Sequence, residues 1–179
     1  MKQIAFLLLV CMLVSPFSLS SQPAFVMREK IVSLLDSAYH GWHLVDNLKI
    51  INEPVLQHLH LDTTKCRPNF VWGDFNGDGK TDYVAYVERK LEPNPREQFL
   101  VAFLSKEDDF RPFVLGKAIG DGYLGDYIWL VEKGTKSYIF YRDEEFVLQN
   151  DAIERIIIEK ASTLFYYDNG EWKRFMTSD

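Results

Sequence analysis

Gly73-Asp74-Phe75-Asn76-Gly77-Asp78-Gly79-Lys80-Thr81-Asp82 places oxygen-bearing side chains at every second position, Asp74, Asn76 and Asp78, with a further carboxylate at Asp82. A chain that wraps back on itself can aim such a set at one point. Hard cations such as calcium take six to eight oxygens at about 2.3–2.6 Å, and loops of this kind supply them from positions 1, 3, 5, 7 and 9. Those positions are Asp74, Asn76, Asp78, the backbone carbonyl of Lys80, and Asp82. Gly79 at position 6 permits the sharp turn, because it takes positive φ without a Cβ clash. Three carboxylates in one tight turn repel unless something neutralises them. The alternative is an Asp/Asn/Gly-rich hairpin that holds no metal.

The loop departs from the EF-hand. Its twelfth position, where a bidentate Glu belongs, is Ala85, and the residues after Asp82 alternate as a strand: Tyr83, Ala85 and Val87 on one face, Val84, Tyr86 and Glu88 on the other. A loop running into a strand with the spacing D-x-N-x-D-G-x-x-D resembles the calcium loops of FG-GAP and VCBS-type repeats. That resemblance implies the same ligand set, Asp74, Asn76, Asp78, Lys80 through its carbonyl, and Asp82. The chain is also similar to a group of small exported bacterial proteins. That similarity rests on the helix ending in Gly41-Trp42, the single loop, and a tail with Tyr166-Tyr167-Asp168-Asn169-Gly170. It implies a fold and an address, and no activity.

Around the loop the pattern predicts an α+β domain, an N-terminal amphipathic helix packed on a mainly antiparallel β-meander sheet. Met27, Ile31, Leu34, Leu35 and Ala38 recur at helical spacing between Pro23 and Gly41. Residues 41–45 read as a turn into a first strand, and short strands are expected over residues 70–72, 82–89, 98–105, 110–115, 127–132, 136–141, 153–158, 163–167 and 171–176. Asn169-Gly170 is a two-residue hairpin signal, and Lys106-Glu107-Asp108-Asp109 is a polar turn. Residues 91–97, with Pro93 and Pro95, read as a loop. Residues 47–69 are ambiguous between strand and short helix. Gly120-Asp121-Gly122 through Asp126-Tyr127 echoes the calcium loop, but Lys117 and Ile119 stand where ligands would be needed. Its size excludes a propeller.

The 179 residues suffice for one domain. Residues 1–20 read as a signal peptide: Lys2, an apolar run over residues 4–14, then Ser18-Leu19-Ser20. That run is too short to span a membrane, and Cys11 has no small residue beside it to make a lipoprotein site. The expectation is one domain over residues 21–179, exported to the periplasm or beyond, with no transmembrane segment after cleavage. Removal of Lys2 leaves 19 basic residues against 26 acidic, a charge of about −7, without the Lys/Arg clusters that nucleic acid requires. Cys66 then has no partner for an intramolecular disulfide.

Two function classes remain. One is a non-catalytic binding or interaction module with a structural calcium site and a protein or cell-envelope partner. The other is a secreted hydrolase assembled from scattered acids and histidines. For the second, His58, His60 and Cys66 are candidates for a soft-metal or nucleophilic cluster. Glu144, Glu145, Asp151 and Glu154 are candidates for a carboxylate pair, against the alternative of a solvated acidic loop. No G-x-S-x-G, H-E-x-x-H or phosphate-cradling loop is present.

Overall fold

The computed structural model describes residues 24–45, 68–91, 94–117, 126–157 and 160–178. The signal segment, the ambiguous stretch up to residue 67 with His58, His60 and Cys66, and most of the Gly120–Asp126 echo lie outside the described residues. Helix α1 (Ala24–Ala38) forms as expected. Its last turn closes with the Tyr39 N–H donating to the Leu35 carbonyl at 3.0 Å, and Gly41 carries the chain away at φ +82°. Met27, Ile31 and Leu35, one stripe of that helix, are fully or almost fully buried.

The strands are antiparallel throughout the described pairings, but they form more than one sheet. The first sheet runs β1 (His43–Leu44), β3 (Asp82–Leu91), β4 (Asn94–Lys106), β5 (Asp109–Lys117), with β2 (Phe70–Gly73) also paired to β3. The second runs in the order β11 (Glu171–Ser178), β10 (Ala161–Asp168), β9 (Ala152–Ile157), β6 (Asp126–Val131). Between β6 and β9 the chain makes a two-stranded hairpin, β7 (Lys136–Ile139) and β8 (Glu144–Val147), with a short 3-10 turn at Phe140–Arg142.

The alternation along β3 accounts for the layering. Tyr83, Ala85 and Val87 join Met27, Ile31 and Leu35 of α1 in one apolar cluster with Phe70, Trp72 and Phe103. Val84 and Tyr86 point the other way, into a second cluster with Leu100, Ala102, Ile128, Ile153 and Phe165. A strand apolar on both faces must be covered on both. The first sheet is therefore the middle layer, with the helix on one side and the second sheet on the other. Among the described residues the fold is mostly β with one helix, and the single meander expected from sequence is divided into two larger sheets and the separate β7–β8 hairpin.

Three stretches differ in kind from expectation. Of residues 91–97, those described lie in strands and not in a loop: β3 reaches Leu91, β4 starts at Asn94, and Leu91 pairs with Asn94 across a register shift, while residues 92–93 lie outside the described residues. Pro95 is tolerated there because a strand's opening residues beside an irregularity do not need every ladder N–H. The strand over residues 136–141 stops at Ile139, where the 3-10 turn begins. Glu144 and Glu145 lie in no acidic loop but on β8, paired with Ile139 and Tyr138. Both predicted hairpin turns are present. Asn169 and Gly170 take φ +52° and +86°, the two positive values that a tight hairpin with native twist requires.

Ile31 sits at the centre of the helix–sheet layer with no exposed surface. Ile31→Ala is expected to cost about 2–4 kcal/mol, from lost apolar transfer and the cavity left behind. Urea unfolding monitored by tryptophan fluorescence checks this. A cost below about 1 kcal/mol would mean that α1 is not docked as described.

Candidate metal centre

The loop of interest connects β2 to β3. Gly73 and Asp82 are cross-strand partners, so the eight residues between them close a hairpin. Inside it, three side chains bend back to satisfy the loop's own backbone, the local bonding that Asp and Asn favour in turns. The Asp78 N–H donates to Asn76 Oδ1 at 2.9 Å, the Lys80 N–H to Asp78 Oδ1 at 2.8 Å, and the Gly79 N–H to Asp74 Oδ2 at 3.0 Å. Gly77 and Gly79 both take φ near +80°, and a Cβ on Gly77 would lie 2.5 Å from Asn150 Oδ1. Both conformation and space demand glycine at residue 77.

Asp82 is placed differently from the other three. It has no exposed surface, and its carboxylate faces the loop's backbone. Oδ2 accepts from the Phe75 N–H at 2.9 Å and the Asn76 N–H at 3.2 Å, while Oδ1 accepts from the Ser105 N–H at 2.7 Å. Burial pushes its carboxyl up to about 6, although the hydrogen bonds from Ser105, Asn76 and Phe75 pull the other way.

The hairpin tip between β4 and β5 supplies the next contacts. Ser105 Oγ donates to Asp78 Oδ2 at 3.0 Å, Asn76 Nδ2 donates to the same oxygen at 3.2 Å, and the Lys80 ammonium donates to the Glu107 carbonyl at 3.0 Å. From the residue just before β9, Asp151 Oδ2 accepts from the Asp74 N–H at 2.9 Å, and Asp151 Oδ1 accepts from the Lys133 N–H at 2.9 Å. The Asp151 N–H in turn donates to the Asp74 carbonyl at 3.2 Å.

The structure thus brings Asp74, Asn76, Asp78 and the Lys80 backbone into one compact turn and places Asp82 beneath it. Among the described residues, no group of three or more His, Cys, Asp or Glu side chains is gathered as a ready metal cage. Within the loop, Asp74 Oδ1 is buried and has no hydrogen-bond partner among the described residues, a state it shares with Asn69 Oδ1 and Gln98 Oε1 elsewhere in the fold. A carboxylate oxygen left so is costly, because buried polar groups are almost always satisfied. A cation beside it would supply the missing partner, and the remaining donors nearby are oxygens of the kind that calcium takes.

Ser105 and Asp151 were not legible as part of this site. Ser105 carries no local motif. Asp151 lies 77 residues from Asp74 and read as one more acid in a solvated stretch. The other acids weighed for catalysis have separate tasks. Glu154 accepts from Thr177 Oγ1 at 2.7 Å, and Glu145 forms an exposed ion pair with Lys136 at 3.4 Å.

The fold and site together define a class: a helix-backed, two-sheet β protein whose interlayer edge carries an Asp/Asn/Gly-rich hairpin loop. No protein-family model, curated protein or solved structure matches the chain. No helix among the described residues is long and apolar enough to cross a membrane.

The Asp82 shift fixes the sign of a pH effect. Its folded value lies above the ordinary carboxyl range, so the folded state holds the proton more tightly than the unfolded chain. The resulting stabilisation is fully present below about pH 4 and is lost as pH rises through 6, on the order of 3 kcal/mol in metal-free buffer. Carboxyl-carbon NMR of the chelated protein is expected to show one Asp titrating near 6. Ordinary midpoints for every Asp would contradict the burial described for Asp82.

Proposed function

We propose that the protein is an exported, non-catalytic binding or interaction module whose residue 74–82 loop holds a calcium ion as a structural staple. The observation that carries this reading is the buried, unpartnered Oδ1 of Asp74, within a turn whose spacing resembles the FG-GAP and VCBS-type calcium loops. Asp74 Oδ1, Asn76, Asp78 and the Lys80 carbonyl would hold the ion. Asp82 would share an oxygen between it and the backbone N–H groups, since each carboxylate oxygen offers two lone pairs. Calcium here supplies charge neutralisation and oxygen-to-oxygen cross-linking, and takes part in no reaction.

The carboxylates considered for hydrolysis support the same reading. Asp151 and Glu154 accept hydrogen bonds that hold the second sheet in place, which leaves them poor candidates for proton transfer to a substrate. The export assignment rests on the residue 1–20 segment, and a protein or cell-envelope partner is the natural counterpart of a stapled, non-catalytic surface.

Calorimetry of the purified domain over residues 21–179 is expected to give a calcium dissociation constant on the order of 10⁻⁵ to 10⁻³ M, since the loop lacks the bidentate Glu of tighter sites. Magnesium should compete poorly. At a hundredfold excess of calcium over that constant the domain should gain about 2.7 kcal/mol of stability. Asp78→Ala should abolish the gain while leaving a folded domain. No heat at millimolar calcium, or a melting temperature indifferent to chelator, would overturn the reading.

A further inference from the structure

The loop is tied to elements remote in sequence: the β4–β5 hairpin tip through Ser105 and Glu107, and the start of β9, where the polar tie runs through Asp151. Asp151 stands just before β9, and its two carboxylate oxygens take two backbone donors from different places: Asp74 at the mouth of the loop and Lys133 in the turn after β6. The Asp151 N–H returns a bond to the Asp74 carbonyl. The fit is close on both sides of this bridge. A Cβ on Gly73 would lie 2.7 Å from Asp151 Oδ2, and one on Gly77 would lie 2.5 Å from the neighbouring Asn150 Oδ1. Asn150 is itself anchored in the second sheet, donating through Nδ2 to the Tyr167 carbonyl at 3.3 Å. The residue that offers its free oxygen to the ion is therefore the residue whose backbone is held on both sides by Asp151.

We propose that Asp151 is a positioning residue that makes the loop a calcium-dependent clasp between the two sheets. This deepens the calcium reading and rests on it. Filling the loop fixes Asp74, and fixed Asp74 presents its N–H and carbonyl to Asp151 in a single arrangement. The ordered carboxylate then holds the Lys133 turn, so β6 and β9 are drawn against the first sheet. By linkage the coupling is reciprocal: the ion strengthens the Asp151 bridge by the same factor by which the intact bridge strengthens the ion. Asn is a poor substitute, because its one oxygen serves a single N–H while its NH₂ would face the other.

The test is amide hydrogen exchange with and without calcium, alongside calorimetry, on the wild type and on Asp151→Asn. In the wild type, calcium is expected to slow exchange at Asp74 and Lys133 and along β6 and β9 by about fivefold or more, within the usual range of coupling between sites. Asp151→Asn should lose the protection in β6 and β9 and bind calcium about tenfold more weakly, while still giving a heat of binding. A normal calcium heat in the wild type with protection confined to residues 74–82 would overturn the clasp and leave the calcium site standing. Because that comparison uses the wild type alone, it holds even if the variant fails to fold. Absence of any heat would remove the calcium reading and the clasp with it.

Discussion

A carboxylate without exposed surface, Asp82, sits where the first sheet, the loop and the β4–β5 hairpin meet, and each depends on it. Burying an ionised carboxylate is expensive unless its oxygens are hydrogen-bonded or its charge is paired. Here three backbone N–H groups serve the oxygens, and no cationic side chain is among its hydrogen-bonding partners. The same bonds satisfy the N–H groups of Phe75, Asn76 and Ser105. Exchange of Asp82 for an apolar residue would strand those three donors in one place. Desolvation nevertheless outweighs these hydrogen bonds and lifts the Asp82 carboxyl to about 6. A divalent ion beside it would restore the balance by favouring the charged form.

That corner matters because of the layer order. The first sheet is buried by α1 on one face and by the second sheet on the other, so its strand ends are the places where backbone polar groups meet water or need capping. The loop caps the junction of β2 and β3 and reaches across the interlayer edge to Asp151. Phe75, within the loop itself, is fully buried and belongs to the cluster between the sheets, 6.3 Å from the Trp172 ring. The loop is thus part of the core on one side and a polar turn on the other. Its conformation and the packing of the two sheets are set together.

Periodicity made much of this readable. The α1 stripe of Met27, Ile31 and Leu35, the two faces of β3, and the Asn169-Gly170 turn all follow from local spacing, and the structure has them where the spacing puts them. The division into two sheets was not readable, because strand alternation reports which faces are buried and not what buries them. Strand β8 was hidden by Glu144 and Glu145, which sit on an exposed two-stranded hairpin where charge carries no cost. The site divides the same way. Asp74, Asn76 and Asp78 were legible from their period of two, while the inward turn of Asp82 and the participation of Ser105 and Asp151 depend on tertiary pairings that no local pattern encodes.

Both proposals depend on the residue 74–82 turn being a calcium site and not a self-satisfied hairpin. A crystal structure of the domain grown with millimolar calcium tests it most directly. An ion is expected at about 2.3–2.6 Å from Asp74 Oδ1, Asn76, Asp78, the Lys80 carbonyl and Asp82, with the Asp151 bridge to Asp74 and Lys133 retained. A loop that keeps its internal hydrogen bonds in such crystals, with Asp74 Oδ1 satisfied by water and no ion bound, would contradict it.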